Sequence, residues 1–190
     1  MLHILEHGIT HSSSPNANTN YRPIGDVSLI GSRAAFPVAA GKTLGDYIPF
    51  YFWGHMPMLY VIQKGYNGVK QVPPTDIVYL ICTVGRIMEL KLPFLFSNGH
   101  AITNLSIIHG IKDVEQIEKI VDFAAVKAPN WIKEGDQDLK RRKEAEFLVE
   151  GDIPLVSIAG YIVYEETTKQ KLLALNVAQD KIVIRKDFYF

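Results

Sequence analysis

Apolar and polar positions along the chain predict short helices and strands that follow one another without a regular repeat. Apolar runs rich in β-branched and aromatic residues are typical of strands and occupy residues 77–84, 93–96, 147–149, 156–163 and 182–184. Patterns with helical spacing occupy residues 56–64, 113–121, 137–145 and 167–175. Because strands and helices do not alternate as in parallel α/β folds, we expect an α+β fold with a mixed or antiparallel sheet.

The first half of the chain contains less regular pattern. Residues 1–7 read as the end of a short helix that Gly8 stops. A polar loop follows over residues 11–20, and residues 26–30 read as a short helical piece before Arg33 and a turn at Gly41. Residues 47–53 are aromatic and strand-like, but Pro49 restricts them to a sheet edge or a strand start.

Length and composition favour one domain over residues 1–190. The formal net charge is zero, which argues against non-specific coating of nucleic acid but leaves room for a local basic groove. The single cysteine, Cys82, lies in an apolar run and is expected in the core. One cysteine rules out an intrachain disulfide framework and a cysteine-based zinc site. No membrane span and no signal peptide are predicted, and a reducing cytoplasm is the expected location.

The most informative segment is a basic run that leads into a carboxylate. Lys140, Arg141, Arg142 and Lys143 precede Glu146, which opens the apolar strand pattern at residues 147–149. Such a run is either a solvated helix face or a phosphate clamp. The carboxylate at the mouth of the strand suits a general base or an electrostatic stabiliser, or it only pairs with a neighbouring arginine.

Other motifs exclude several classes of enzyme. The chain lacks the glycine-rich loops that bind phosphates or dinucleotides and the serine nucleophile elbow of hydrolases. His3, His7 and His11 are spaced four apart and would share one helix face, but Gly8 and the serines that follow stop the helix, so we expect no metal. His55 and His100 follow aromatic strand patterns, where binding groups collect, although ordinary surface histidines fit equally well. The aromatic block around Trp53 is either core or a platform for a flat ring.

Taken in order, a set of segments carries a family resemblance across most of the chain. They are His3–Gly8, Tyr21–Ile24, Arg33, Asp46–Phe52, Pro57–Tyr60, Ile77–Leu80, Phe94–His100 and Arg141–Val149. In this order and spacing they resemble the DarT family of DNA ADP-ribosyltransferase toxins, most specifically through the segments at residues 46–52 and 141–149.

The resemblance implies an ADP-ribosyltransferase fold, with a split, twisted mixed β-sheet core and peripheral helices around an NAD cleft. It implies transfer of ADP-ribose from NAD to a base in single-stranded DNA, most often thymine, with guanine left open. Glu146 would be the catalytic glutamate and Arg33 the catalytic or substrate-positioning arginine. An antitoxin with a macrodomain would be the protein partner.

Further contacts follow from the same resemblance. The NAD-binding set would be Asn20, Tyr21, Ile24, Arg33, Tyr51 and Glu146, with residues 16–24 closing over NAD. The DNA-binding set would be Trp53, His55, His100, Lys140, Arg141 and Arg142, and residues from about 127 to 143 would present the substrate.

Two points qualify the resemblance. The family carries an NAD-contacting histidine on a strand before its first helix, and since this chain starts at the helix, we expect that strand to be missing. Alternative functions remain a transferase acting on guanine, RNA or another acceptor, a non-catalytic module that binds single strands, and a degenerate relative that serves as an interaction partner.

Overall fold

The computed structural model describes residues 1–39 and 41–190. Its helices are α1 (Leu2–His7), α2 (Val27–Ala35), α3 (Pro57–Lys64), α4 (Val84–Glu89), α5 (Ile117–Ile120), α6 (Phe123–Lys127), α7 (Leu139–Lys143) and α8 (Glu166–Leu173). Its strands are β1 (Pro37–Ala39), β2 (Lys42–Thr43), β3 (Tyr47–Tyr51), β4 (Tyr79–Cys82), β5 (Phe94–Ser97), β6 (Ile108–His109), β7 (Glu146–Glu150), β8 (Ile158–Val163) and β9 (Ile182–Ile184).

The described chain forms two compact units. The first contains Met1–Ile24, Leu59–Leu92 and Asp152–Phe190, and the second contains Gly25–Met58 and Pro93–Gly151. Each unit has its own sheet and its own group of buried apolar side chains. The expectation of a single domain over residues 1–190 stays a prediction.

The second unit is built on an antiparallel sheet of order β3-β7-β5-β6, beside the two-stranded ribbon β1-β2. β7 is an inner strand, and its first four residues are buried. β3 lies at the sheet edge, as Pro49 predicts, because proline has no N–H to donate to a second neighbour. The register places Tyr51 of β3 opposite Glu146 of β7.

The first unit is built on a mixed sheet of order β4-β8-β9. β4 and β8 are antiparallel, whereas β8 and β9 are parallel. The apolar side chains of Ile158, Tyr161 and Val163 on β8 are buried with Leu172 of α8, so the helix packs against the strand that precedes it. The α+β class with mixed sheets is therefore confirmed.

Most of the predicted elements are present at shifted boundaries. Gly8 and Gly65 follow α1 and α3, and both have positive φ, so the predicted helix ends are confirmed. The prediction of one helix over residues 113–121 is wrong, because a 3₁₀ segment, Ile111–Gln116, precedes the short α5. The predicted piece at residues 26–30 extends to Ala35 because the Asp26 side chain caps α2 by accepting from Ser28 N and Leu29 N.

Cys82 corrects another expectation. It lies at the end of β4 and is half-buried rather than fully buried, because β4 stands at the edge of its sheet. Its thiol still packs on the apolar side chains of the first unit, and burial raises the pKa of Cys82 to about 11. Such a thiol stays protonated at neutral pH and is a poor nucleophile.

Gly8 provides a test of the first unit. Its φ is 78°, and a Cβ there would overlap the Ile153 carbonyl oxygen, which also accepts the Ile9 N–H. We expect Gly8→Ala to lower the free energy of unfolding by about 2–4 kcal/mol, from left-handed strain plus the overlap. Gly68→Ala is the control: φ is 71°, but no atom lies within 4 Å of the added carbon. Urea unfolding that gave equal losses for both variants would contradict the close approach at Gly8.

Candidate active site

Glu146 has its carboxylate buried in the second unit. The side chain is 1% exposed, at the start of β7. Its Oε1 accepts the backbone N–H of Ala101 at 3.0 Å, and its own N–H donates to Ser97 Oγ at 3.0 Å. These contacts join β7 to the turn after β5, so the carboxylate has a fixed direction.

Arg33 is the charged partner of that carboxylate. Its Nη1 donates to Glu146 Oε2 at 2.8 Å, and its side chain is 12% exposed. A buried carboxylate needs such compensation, because an unpaired charge in a low-dielectric interior costs several kcal/mol. The Nη2 atom of Arg33 is buried and, among the described residues, has no hydrogen-bond partner.

The position of α2 brings Arg33 to the site. The chain turns from β2 into a 3₁₀ segment, Leu44–Asp46, that packs against α2. A Cβ on Gly45 would lie 2.8 Å from Ala34 Cα, so only glycine permits this close approach. The Asp26 cap at one end of α2 and the contact with Gly45 near the other therefore place Arg33.

Tyr51 is the third group at this position. It pairs with Glu146 across β3 and β7, and side chains opposite each other on neighbouring strands share a face of the sheet. Burial raises the pKa of the Tyr51 hydroxyl well above its usual range, and the charges of Glu146 and Glu144 raise it further. Tyr51 is thus a neutral hydroxyl that can donate or accept a hydrogen bond.

Glu144 and His100 form a second buried pair beside the first. His100 Nδ1 lies 3.9 Å from Glu144 Oε2, and the two side chains are 18% and 9% exposed. Burial raises the pKa of Glu144 to about 7, although the nearby charge of Lys140 opposes the shift. Burial also lowers the pKa of His100. Both shifts favour the neutral forms of the two side chains.

The basic run does not form one continuous surface. Lys140 is exposed, whereas Lys143 is fully buried. Arg141 makes two hydrogen bonds to Asp138, at 2.6 and 2.7 Å, and Arg142 forms ion pairs with aspartates. Arg141 and Arg142 are thus paired with partly exposed aspartates, whereas the charge of Lys140 is exposed. The DNA-binding role of the run stays a prediction.

The other predicted site residues lie on loops. Trp53 is 38% exposed with Lys127 Nζ 5.4 Å from its ring centre, and His55 has a positive φ of 59°. Asn20, Tyr21 and Ile24 are exposed in the first unit, whereas Arg33, Tyr51 and Glu146 lie together in the second unit. Their roles stay predictions.

The described residues hold neither a metal cluster nor a membrane-spanning helix. Residues 1–39 and 41–190 contain no group of three or more histidine, cysteine, aspartate or glutamate side chains that would hold a metal ion. Over the same residues, no helix combines the length and the apolar character that crossing a bilayer requires.

The sequence patterns did not predict several groups at the site. The Ala101 N–H is a backbone donor and leaves no trace in residue identity. Glu144 and Lys143 read as part of a charged run, and only their burial distinguishes them. Ser97 was inside a segment that carries the family resemblance, and its place between Glu146 N–H and the Gly99 carbonyl explains why a small hydroxyl side chain stands there.

Comparison with known proteins decides the family. A family model described as "ssDNA thymidine ADP-ribosyltransferase, DarT" matches residues 1–190. The chain belongs to the DarT family. A DNA ADP-ribosyl transferase from Escherichia coli O127:H6 is 32% identical over 173 residues, which are 89% of this chain and 78% of that protein.

Solved DarT structures have the same fold. Thermus sp. 2.9 DarT in complex with ADP-ribosylated single-stranded DNA superposes with a TM-score of 0.84 at 26% identity, covering 100% of this chain and 90% of that one. Thermus sp. 2.9 DarT in complex with NAD⁺ superposes with a TM-score of 0.78 at 27% identity, covering 100% of this chain and 91% of that one. The ADP-ribosyltransferase fold and the enzyme class, a DNA ADP-ribosyltransferase, are therefore confirmed.

Burial of Glu144 predicts how stability depends on pH. An ordinary glutamate pKa of 4.5 in the unfolded chain rises to about 7 in the folded protein. Between these values the folded state binds more protons, so stability falls as pH rises. Between pH 5 and pH 8, ionisation of Glu144 should lower the free energy of unfolding of the wild type by about 2–3 kcal/mol.

The measurement is urea unfolding at both pH values. We expect Glu144→Gln to remove this loss, so that the stability of the variant relative to the wild type increases as pH rises. The exposed Glu115→Gln variant should keep the wild-type dependence. Parallel pH curves for the wild type and Glu144→Gln would show that Glu144 ionises normally.

Proposed function

We propose that this protein transfers ADP-ribose from NAD to thymidine in single-stranded DNA and releases nicotinamide. The observation that carries the proposal is the buried carboxylate of Glu146, held by Arg33 and the Ala101 N–H. The family description names the same acceptor, and Thermus relatives have been solved with NAD⁺ and with ADP-ribosylated DNA.

Glu146 is suited to stabilise positive charge on a sugar. Cleavage of the nicotinamide–ribose bond passes through an oxocarbenium-like state, as in other glycosyl transfers. An ionised carboxylate has about four lone-pair positions, and two of them in Glu146 accept from Arg33 and Ala101. The remaining positions are available for a ribose hydroxyl, and the fixed negative charge favours the transition state over the ground state.

Arg33 is suited to a second contact with substrate. One nitrogen of its guanidinium holds Glu146, while the buried Nη2 has no partner among the described residues. A buried donor without a partner costs free energy, which a ligand oxygen recovers on binding. We assign Nη2 to a phosphate oxygen or to a carbonyl of the acceptor base, since a guanidinium suits both.

The attacking base must lose a proton as its nitrogen bonds to the ribose carbon. Glu146 accepts that proton in this proposal, after the nicotinamide leaves and the positive charge is quenched. A single strand suits the reaction because its base needs no extrusion from a duplex. Of the predicted DNA-binding set, the proposed direct contacts are Trp53, His55, His100, Lys140 and Arg141, while Arg142 would contribute through the loop over residues 129–137. The proposed NAD contacts beyond the buried pair are Asn20, Tyr21, Ile24 and Tyr51.

The biological setting belongs to the same proposal. The family resemblance supports a role as the toxin of a toxin–antitoxin pair, with a macrodomain antitoxin as partner. Cytoplasmic DNA and NAD would be its substrates.

The direct test is mass spectrometry of mixed-sequence single-stranded oligonucleotides incubated with the protein and NAD. We expect one added ADP-ribose per modified strand, located on thymidine by fragmentation. Glu146→Gln should lower the rate by about a hundredfold or more, because it removes the charge opposite the developing cation.

Glu150→Gln is the matched control. Glu150 ends the same strand but is 33% exposed and pairs with Lys42. Its loss should leave the rate within about twofold of wild type, since exposed ion pairs contribute little. Equal rates in the wild type and Glu146→Gln would show that Glu146 has no part in the mechanism. A mass gain located on guanine would show that guanine, and not thymidine, is the acceptor.

A further inference from the structure

The loop over residues 129–137 connects α6 to α7, in the segment before the catalytic strand. It exposes Ile132, with 84% of its surface accessible, and also Lys133 and Glu134. A nine-residue loop without regular structure ordinarily has many conformations, and ordering it on a ligand costs backbone entropy. Both ends of this loop are nevertheless tied to the basic run that precedes Glu146.

The entrance of the loop is held by a buried lysine. Lys143 is 0% exposed, and its Nζ donates to the carbonyl oxygens of Val126 and Ala128 at 3.0 and 2.6 Å. These carbonyls belong to the C-terminal end of α6, where helix carbonyls have no partner within the helix. Lys143 thereby caps α6, and its ammonium is too deeply enclosed to reach a phosphate.

The exit of the loop is held by an arginine. Arg142 Nη2 donates to Asp136 Oδ2 at 2.6 Å, and its Nε lies 3.2 Å from Asp138 Oδ2. The same guanidinium pairs through Nη1 with Asp122, the residue that caps the start of α6. One side chain therefore joins the start of α6 to the end of the loop.

Arg141 is held on the other side. Its guanidinium makes two hydrogen bonds to Asp138, and Nη1 contacts Ser106 Oγ at 3.2 Å and Asn98 Oδ1 at 3.4 Å. The Arg141 guanidinium occupies space that only a glycine at position 99 leaves open, because a Cβ on Gly99 would overlap Arg141 Nη1. Of the four basic residues of the run, Lys140 is the exposed one.

We propose that Lys143 and Arg142 are positioning residues that hold the 129–137 loop in one conformation, so that DNA meets a preformed surface. This inference rests on the proposed function for the identity of the ligand. The basic run then has two separate roles, since Lys140 contacts a phosphate of the strand whereas Arg142 and Lys143 act through the loop. Preformation raises affinity because less ordering is left to binding.

The first test needs no DNA. Lys133 is an exposed trypsin site within the loop. Arg142→Gln should be cut there on the order of tenfold faster than the wild type, because cleavage requires the loop to open locally. Lys140→Gln is the control and should be cut at the wild-type rate. Unchanged cleavage in Arg142→Gln would overturn the proposal whether or not the protein binds DNA.

The second test is the salt dependence of binding to a fluorescent single-stranded oligonucleotide. Removing one phosphate contact reduces the magnitude of the slope of log K against log salt by about 1. Lys140→Gln should therefore give a shallower slope than the wild type. Arg142→Gln should weaken binding on the order of tenfold to a hundredfold with the slope unchanged, because a misplaced loop loses contacts of every kind.

Asp136→Asn gives a test of sign. If Arg142 binds phosphate, removing the aspartate frees its charge, and DNA binding should tighten. If Arg142 anchors the loop, Asp136→Asn should weaken binding and speed cleavage at Lys133, as Arg142→Gln does. Asp136 is 28% exposed, so this variant should fold even if Arg142→Gln does not. Tighter binding would overturn the proposal, while no binding by the wild type would instead contradict the proposed function.

Discussion

A buried negative charge at the start of an inner strand constrains the whole second unit. The Glu146 carboxylate is 1% exposed, so its hydrogen-bond donors must come from the protein. The donors come from two separate pieces of chain: Arg33 at the last turn of α2 and the N–H of Ala101 in the turn after β5. The strand order around β7, the cap on α2 and the glycine at position 45 all place these donors.

Burial in the same region also acts on the neighbouring titratable groups, so that Tyr51 is neutral and Glu144 loses its charge below about pH 7. Tyr51 and Glu144 lie close to the same carboxylate, and both burial and its charge raise their pKa values. The site therefore concentrates one negative charge rather than several. A single fixed charge, countered by one guanidinium, suits a reaction in which positive charge appears briefly on a sugar.

Much of the charge of the basic run is used for contacts within the second unit. A chain with zero formal net charge exerts little long-range attraction on DNA, and Arg141 and Arg142 are paired with aspartates. In the proposed function, affinity for a strand comes from a few exposed groups. Trp53 with Lys127, and Lys140, are groups of this kind.

Sequence patterns were sufficient where the cause is local. The apolar residues after Glu146 predicted β7, Pro49 predicted an edge strand, and Gly8 and Gly65 predicted helix ends, because each depends on a residue and its immediate neighbours. The α2 helix was underestimated because Gly31 and serines lower its propensity, while the Asp26 cap and packing on Gly45 extend it.

Long-range pairing was beyond such patterns. The Arg142 pair with Asp122 spans twenty positions and Arg33 to Glu146 spans 113, so neither has a periodic trace. The family resemblance singled out Arg33 and Glu146 together, and the structure joins them. It gave no indication that the basic run would be used largely for internal contacts.

The most direct test of this account is a double-mutant cycle on the buried pair. Arg33→Lys and Glu146→Asp keep both charges but alter the geometry, and single-turnover transfer to DNA measures each loss. If the two side chains act as one unit, the double variant should be no more than about threefold slower than the slower single variant. Losses that multiply would mean that Arg33 and Glu146 contribute independently, and the central claim would be wrong.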